Sequence, residues 1–304
     1  MTTIPGIHHV TAISGPAQQN VDFYTGPMQQ RLVKKTVNFD DPGTYHLYYG
    51  DATGSPGTIL TFFPFVDAGP GRAGPGMASA YAYAVPAGRF DAVMEDLALQ
   101  AIDFAGPFQR FGARVIILRD PDGAPVELVE TARPGTGLDG FHSVTLWLRD
   151  PAPTAKLLTS VFGYEDAGSE TVCGVERLRL QAPGEERGNI VDLIRSDKAA
   201  IARPGAGTIH HVAFRARDDD EQRGWIDRLA TAGHRTTEVI DRQYFNAIYF
   251  REPGGVLFEI ATDPPGFAVD EAPDQLGQSL KLPEKYEAMR DRITRVLPPL
   301  KVRA

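Results

Sequence analysis

Residues 251–260 read REPGGVLFEI, and residues 119–128 read RDPDGAPVEL. Each phrase is a Pro/Gly turn that runs into a short apolar, β-favouring segment with one glutamate, Glu259 in the first and Glu127 in the second. Weaker copies stand at 55–62 (SPGTILTF) and 187–192 (RGNIVD). Four such endings predict four repeated units, and internal repetition outranks any single motif in deciding a fold.

Working outward, each ending has an opening strand upstream. HHVTAI at 8–13, HSVTLW at 142–147 and HHVAFR at 210–215 match one another, and the second unit opens less distinctly with SAYAYAV at 79–85. The spans from His9 to Phe62, Ser143 to Asp192 and His211 to Glu259 are nearly equal, as duplication requires. Between opening and ending lie apolar residues at helical spacing, such as Phe90, Val93, Met94 and Leu97, or Trp225, Ile226 and Leu229. Shorter helical segments are expected at 20–28 and 153–162.

The predicted fold is therefore α+β, with four βαβββ units at 6–66, 77–131, 140–197 and 207–262 forming paired, curved mixed sheets. Turn-rich stretches at 67–76, 134–140 and 203–207 separate the units. The expected domains are an N-terminal half, 1–135, and a C-terminal half, 136–262. A C-terminal extension, 263–304, is expected to form a cap carrying one helix at 283–297.

With 304 residues and 42 % hydrophobic content, the chain can bury two cores, so disorder is not the default expectation. A net charge of −8, dispersed along the chain, gives no footprint for nucleic acid or anionic lipid. Cys173 is the single cysteine, which rules out an internal disulfide and thiolate zinc sites and suits a reducing compartment. There is no leader pattern at the start and no long apolar run, so a cytoplasmic location is expected.

Four of the seven histidines fall in two identical His-His-Val triplets. Because strand side chains alternate between faces, His9 and His211 are expected on one face, with His8 and His210 on the other. Together with Glu259 on the closing strand of unit four, His9 and His211 form a two-histidine, one-carboxylate set. Such a set leaves adjacent positions open on an octahedral ion, which suits Fe(II) or Mn(II). Catalytic Zn(II) uses the same ligand types and stays open as an alternative. Aligning Val144 with Val212 sets His142 opposite His210 and Ser143 opposite His211, so His142 is expected off the metal. Glu127 and Asp192 take the Glu259 position in units two and three and read as remnants of a second site or as surface carboxylates. In unit one that position is expected to be Phe62.

Over residues 6–262 the sequence resembles the vicinal oxygen chelate superfamily, which includes glyoxalases, bleomycin resistance proteins and extradiol dioxygenases. The phrases IHHVT (7–11), YHLYY (45–49), TILTFFP (58–64), GFHS (140–143), IHH (209–211) and DRQYF (241–245) running on to Tyr249 look most like its hydroquinone-type ring-cleaving dioxygenases. The resemblance implies that units one and four pair with each other and that His9, His211 and Glu259 carry Fe(II). It implies a small aromatic substrate, a hydroquinone or a substituted one, and dioxygen as co-substrate. It also implies that Arg242 and Tyr249 stand beside the metal, with His8, His210 and Thr11 around it. An imidazole or tyrosine can relay the proton that a phenol must lose, and a fixed guanidinium can stabilise developing negative charge. Modules of this fold often pair between chains, so the resemblance is compatible with a homo-oligomer, while the sequence does not set the oligomeric state. Two rivals remain, a glyoxalase-like metal-dependent isomerase or lyase and a non-catalytic small-molecule binding protein of the same fold.

Overall fold

The computed structural model describes residues 3–172, 174–184, 187–196 and 201–302. Cys173 lies outside the described residues. The first unit consists of β1 (Ile7–Ser14), α1 (Ala17–Thr25), β2 (Arg31–Val37), β3 (Tyr45–Gly50) and β4 (Ile59–Pro64). The second has β5 (Met77–Val85), α2 (Phe90–Leu99), β6 (Phe104–Arg110), β7 (Ala113–Arg119) and β8 (Pro125–Glu130). The third has β9 (Phe141–Trp147), α3 (Ala152–Ser160), β10 (Glu165–Val172), β11 (Val175–Gln181) and β12 (Ile190–Ser196). The fourth has β13 (Thr208–Ala216), α4 (Asp219–Thr231), β14 (Ile240–Asp241), β15 (Phe245–Arg251) and β16 (Leu257–Pro265). Every unit thus carries the βαβββ order that the repeat predicts.

The phrase that reveals the repeat does so because it builds one turn twice. The acid after the arginine, Glu252 or Asp120, accepts from the backbone amide of Val256 or Ala124, at 2.9 and 2.8 Å. Its own amide donates back to the carbonyl of the same residue. Gly255 and Gly123 hold φ of +99° and +85°, a region that residues with a side chain seldom enter. The shared spelling is therefore the chemistry of a tight turn leading into the closing strand.

Two eight-stranded mixed sheets result, ordered β14-β15-β16-β13-β1-β4-β3-β2 and β10-β11-β12-β9-β5-β8-β7-β6. Units one and four form the first sheet, and units two and three the second, so each sheet takes one unit from either half of the sequence. A large apolar core joins them, contributed by Ile7, Val10 and Phe214 from one sheet and by Tyr81, Phe141 and Val144 from the other, with Val21, Leu158 and Trp225 from the helices.

The extension packs on unit one. Lys34, fully buried on β2, reaches Asp270 and Glu271 at 2.5 Å each, Tyr45 bonds to the carbonyl of Pro298, and Tyr286 bonds to that of Phe39. The single helix expected at 283–297 is instead two short ones, α5 (Glu284–Glu287) and α6 (Arg290–Val296). Met289, with φ −105° and ψ 7°, breaks the helical path between them. Among the described residues no helix is long and apolar enough to cross a membrane.

Candidate metal centre

The site is built on the seam between β1 and β13, which run antiparallel with His9 opposite Ala213 and Thr11 opposite His211. The register slips at His8 and again at His210, so each is the extra residue of a bulge. A bulge re-aims side chains that strict alternation would send to opposite faces. This corrects the sequence expectation. His210 lines the same cavity as His211, and in each pair the rings meet through Nδ1 atoms, 2.9 Å apart for His8 and His9 and 2.7 Å for His210 and His211.

Burial and the neighbouring His9 hold the pKa of His8 well below its ordinary value. With Nδ1 of each inner histidine engaged by its neighbour, Nε2 of His9 and Nε2 of His211 are the atoms directed at Glu259. Outer partners of this kind set the orientation and basicity of a ligating histidine.

Nε2 of His9 lies 3.4 Å from Oε2 of Glu259, Nε2 of His211 lies 2.9 Å from that oxygen, and the two nitrogens are 3.4 Å apart. Two ligands bound at about 2.1 Å and at right angles lie roughly 3 Å apart. The three atoms are therefore spaced as neighbours on one face of an ion. Glu259 is 0 % exposed, and the nitrogens approach its oxygens without hydrogen-bond geometry, so neither oxygen has a donor. Burial pushes its pKa up, but the two imidazoles outweigh that and hold the carboxyl well below its usual range. A buried, ionised carboxylate with no donor in hydrogen-bond geometry, set beside two imidazole nitrogens, is satisfied by a cation. Among the described residues no second group of three such ligands converges.

Next to the triad, Tyr249 stands directly opposite Glu259 on the ladder between β15 and β16. Arg242 donates from Nε to the Tyr249 hydroxyl at 3.2 Å and from Nη1 to Asp40 at 3.2 Å. Its acidic partner thus comes from unit one. Burial and the charge of Glu259 push the Tyr249 hydroxyl well above its ordinary pKa, with Arg242 opposing. Thr11, Tyr249, Arg242 and His210 all line a cavity of about 390 Å³ whose walls include Phe39, Phe63 and Phe245. His8 does not line it; the ring packs under Phe245, 5.2 Å between centroids.

Two polar residues of the cavity wall, and a threonine bonded behind them, were given no role by the sequence. His46 and Tyr48 line it from β3. Thr61 on β4 receives the His46 ring at 2.6 Å and contacts Thr11 at 3.3 Å. The signal was period-two alternation, which puts His46 and Tyr48 on one face of YHLYY. Alternation also overturns Phe62 as the counterpart of Glu259. Thr61 pairs with Thr11 just as Glu259 pairs with Ala213, each two residues beyond a histidine ligand, while Phe62 points into the core.

The second sheet holds the same frame without the ligands. His142 and Ser79 mark its register slips, and His142 bonds to the Ser143 hydroxyl at 3.0 Å, repeating the histidine-pair contact with serine in the inner place. Ala80 and Ser143 stand where His9 and His211 stand in the first sheet. Glu127 pairs with Ala82 and Asp192 with Thr145, both at the Glu259 position. They are not surface carboxylates: Arg110 holds Glu127 at 2.5 and 3.0 Å, and Arg177 and Arg179 hold Asp192. Fixed guanidinium charge replaces a cation there.

The chain belongs to the glyoxalase/bleomycin resistance protein/dioxygenase superfamily, whose family model matches residues 6–128 and 140–260. It is 43 % identical to MhqO of Bacillus subtilis (strain 168), a protein provisionally named a ring-cleaving dioxygenase, over 98 % of this chain and 97 % of the relative. It is 32 % identical to the chlorohydroquinone/hydroquinone 1,2-dioxygenase of Sphingobium indicum, over 97 % and 96 % of the two chains. The crystal structure of a provisionally named dioxygenase from Bacillus subtilis superposes with a TM-score of 0.94 at 42 % identity, covering 100 % of this chain and 99 % of that one.

Proposed function

We propose that the protein is an Fe(II)-dependent, extradiol-type ring-cleaving dioxygenase that acts on a hydroquinone or a substituted hydroquinone. One observation carries the reading. His9, His211 and Glu259 occupy one side of the pseudo-symmetric centre, and the fourth symmetric position is Thr61, whose hydroxyl is engaged with Thr11 and His46. An isomerase of this fold would want a carboxylate there. The ring-cleaving relatives described above support the same reaction class.

When bound, Fe(II) would offer open positions at which substrate and dioxygen exchange electrons, held by His9, His211 and Glu259. The chain's own groups do the rest. Phe63 and Phe245 form apolar walls of a cavity sized for one aromatic ring and its substituents. Thr11 offers its hydroxyl to the substrate. His210, which lines the cavity, is the imidazole placed to relay the proton that a phenol releases on binding. Tyr249 remains protonated and donates a hydrogen bond, while Arg242, fixed by Asp40, stabilises negative charge developing on an oxygen beside Tyr249. His8 orients His9 from beneath and touches no substrate.

The test is anaerobic reconstitution with Fe(II), followed by oxygen-electrode measurement with a panel of hydroquinones and catechols. Oxygen uptake with ring-opened product supports the proposal. Metal-replete protein that consumes no oxygen with any of them refutes it.

A further inference from the structure

We propose that Tyr48, set by His46 and Thr61, is the hydrogen-bond acceptor that recognises a second ring hydroxyl of the substrate, so that the site selects a diol with a free hydroxyl away from the triad. This rests on the hydroquinone reading above and extends it to the residue that tells a diol from its ether.

Thr61 donates its only hydroxyl proton to Thr11 at 3.3 Å. Its contact with Nε2 of His46, at 2.6 Å, must then be one in which the imidazole donates. Burial, with the nearby His9 and His211, holds His46 neutral, so Nδ1 carries no proton. The 2.8 Å contact between Nδ1 and the Tyr48 hydroxyl therefore runs from tyrosine to histidine. With its proton committed, Tyr48 shows the cavity only lone pairs.

Tyr249 has the reverse polarity. Arg242 donates to its oxygen, which leaves the Tyr249 proton free to donate. The two tyrosines are symmetry mates in the sheet, because Tyr48 pairs with Thr61 as Tyr249 pairs with Glu259. A pseudo-twofold frame has thus been given opposite hydrogen-bond character at its two ends. An oxygen that gathers negative charge fits at Tyr249, and a hydroxyl that keeps its proton fits at Tyr48.

Position agrees with this. β3 lies two strands from β1, roughly 10 Å away. One benzene ring, with an oxygen directed at the triad and a hydroxyl on its far side bonded to Tyr48, spans a gap of that order. Phe267 and Tyr244 pack against Tyr48, at 5.1 and 6.1 Å between centroids, and fix the phenol in place.

The experiment is anaerobic equilibrium binding of hydroquinone and of 4-methoxyphenol, in which one hydroxyl is capped as a methyl ether, to the full metal-loaded chain. The readout is the ratio of the two affinities, which a merely structural role would leave alone. In the wild type, hydroquinone should bind roughly threefold to tenfold tighter, the equivalent of one neutral hydrogen bond. Tyr48→Phe should abolish that preference while keeping the metal and the affinity for the ether. Thr61→Val removes the acceptor for Nε2 of His46, so the imidazole can shift its proton to Nδ1 and turn the Tyr48 proton toward the cavity. The preference should then move toward the ether, and Thr61→Ser should restore it. A wild-type ratio in Tyr48→Phe, or in Thr61→Val, overturns this assignment alone. A wild type that binds neither phenol overturns the assignment together with the functional reading.

Discussion

Replacing Glu259 by Gln keeps the shape of the side chain and removes the charge that the cation would meet. Glu259 is wholly buried against the two imidazoles that hold its carboxyl ionised, so its charge is part of the set that meets a cation. An ion present at about 100 times its dissociation constant stabilises the folded wild type by about 2.7 kcal/mol. Loss of one of three ligands weakens affinity at least as much as loss of an outer partner, about 100-fold, which leaves roughly 0.4 kcal/mol at the same concentration. For 304 residues the melting entropy is on the order of 0.6 kcal/mol per degree. The wild type should gain about 4 °C on adding Fe(II) or Mn(II), and Glu259→Gln less than about 1 °C. Anaerobic differential scanning calorimetry, with and without metal, reads both numbers. A metal-induced rise of wild-type size in Glu259→Gln would refute the assignment of the carboxylate.

Metal analysis of purified variants should find His9→Ala and His211→Ala depleted to below about one-tenth of wild-type content, since each loses a ligand, while His142→Ala keeps its metal. The reverse pattern would move the centre to the second sheet. Lys34→Met strands the carboxylate of Glu271, 3 % exposed, and should cost about 3–5 kcal/mol in urea unfolding. Asp120 gives a pH signature: burial raises its pKa to about 6, so the folded state holds a proton that the unfolded chain releases near pH 4. Its contribution is complete below about pH 4 and is lost as pH rises through 6, a change of up to roughly 3 kcal/mol. Unfolding curves of Asp120→Asn should lack that fall, and an unchanged wild-type slope would count against it.

The repeat, the class of fold and the three converging side chains were legible in the sequence because each has a local signature. A turn of the form RDPDG has to be spelled with an acid, a proline and a glycine at fixed places, and His-His-Val written twice is visible without knowing what it faces. A strand's hydrophobic alternation is likewise local.

Tertiary structure decided what depends on register between distant segments. The bulges at His8 and His210 arise from how β1 meets β13, and they put His210 in the cavity against the alternation rule. The same pairing sets Thr61, not Phe62, across from Thr11, and brings Asp40 of unit one to Arg242 of unit four. The Tyr48–His46–Thr61–Thr11 chain is made of three contacts, two of which cross from one strand to another. A sequence records what each residue can offer in charge, donors and preferred backbone. Which offers meet is fixed only when chain ends some two hundred residues apart pack edge to edge, because hydrogen bonds and metal coordination reach only a few ångströms.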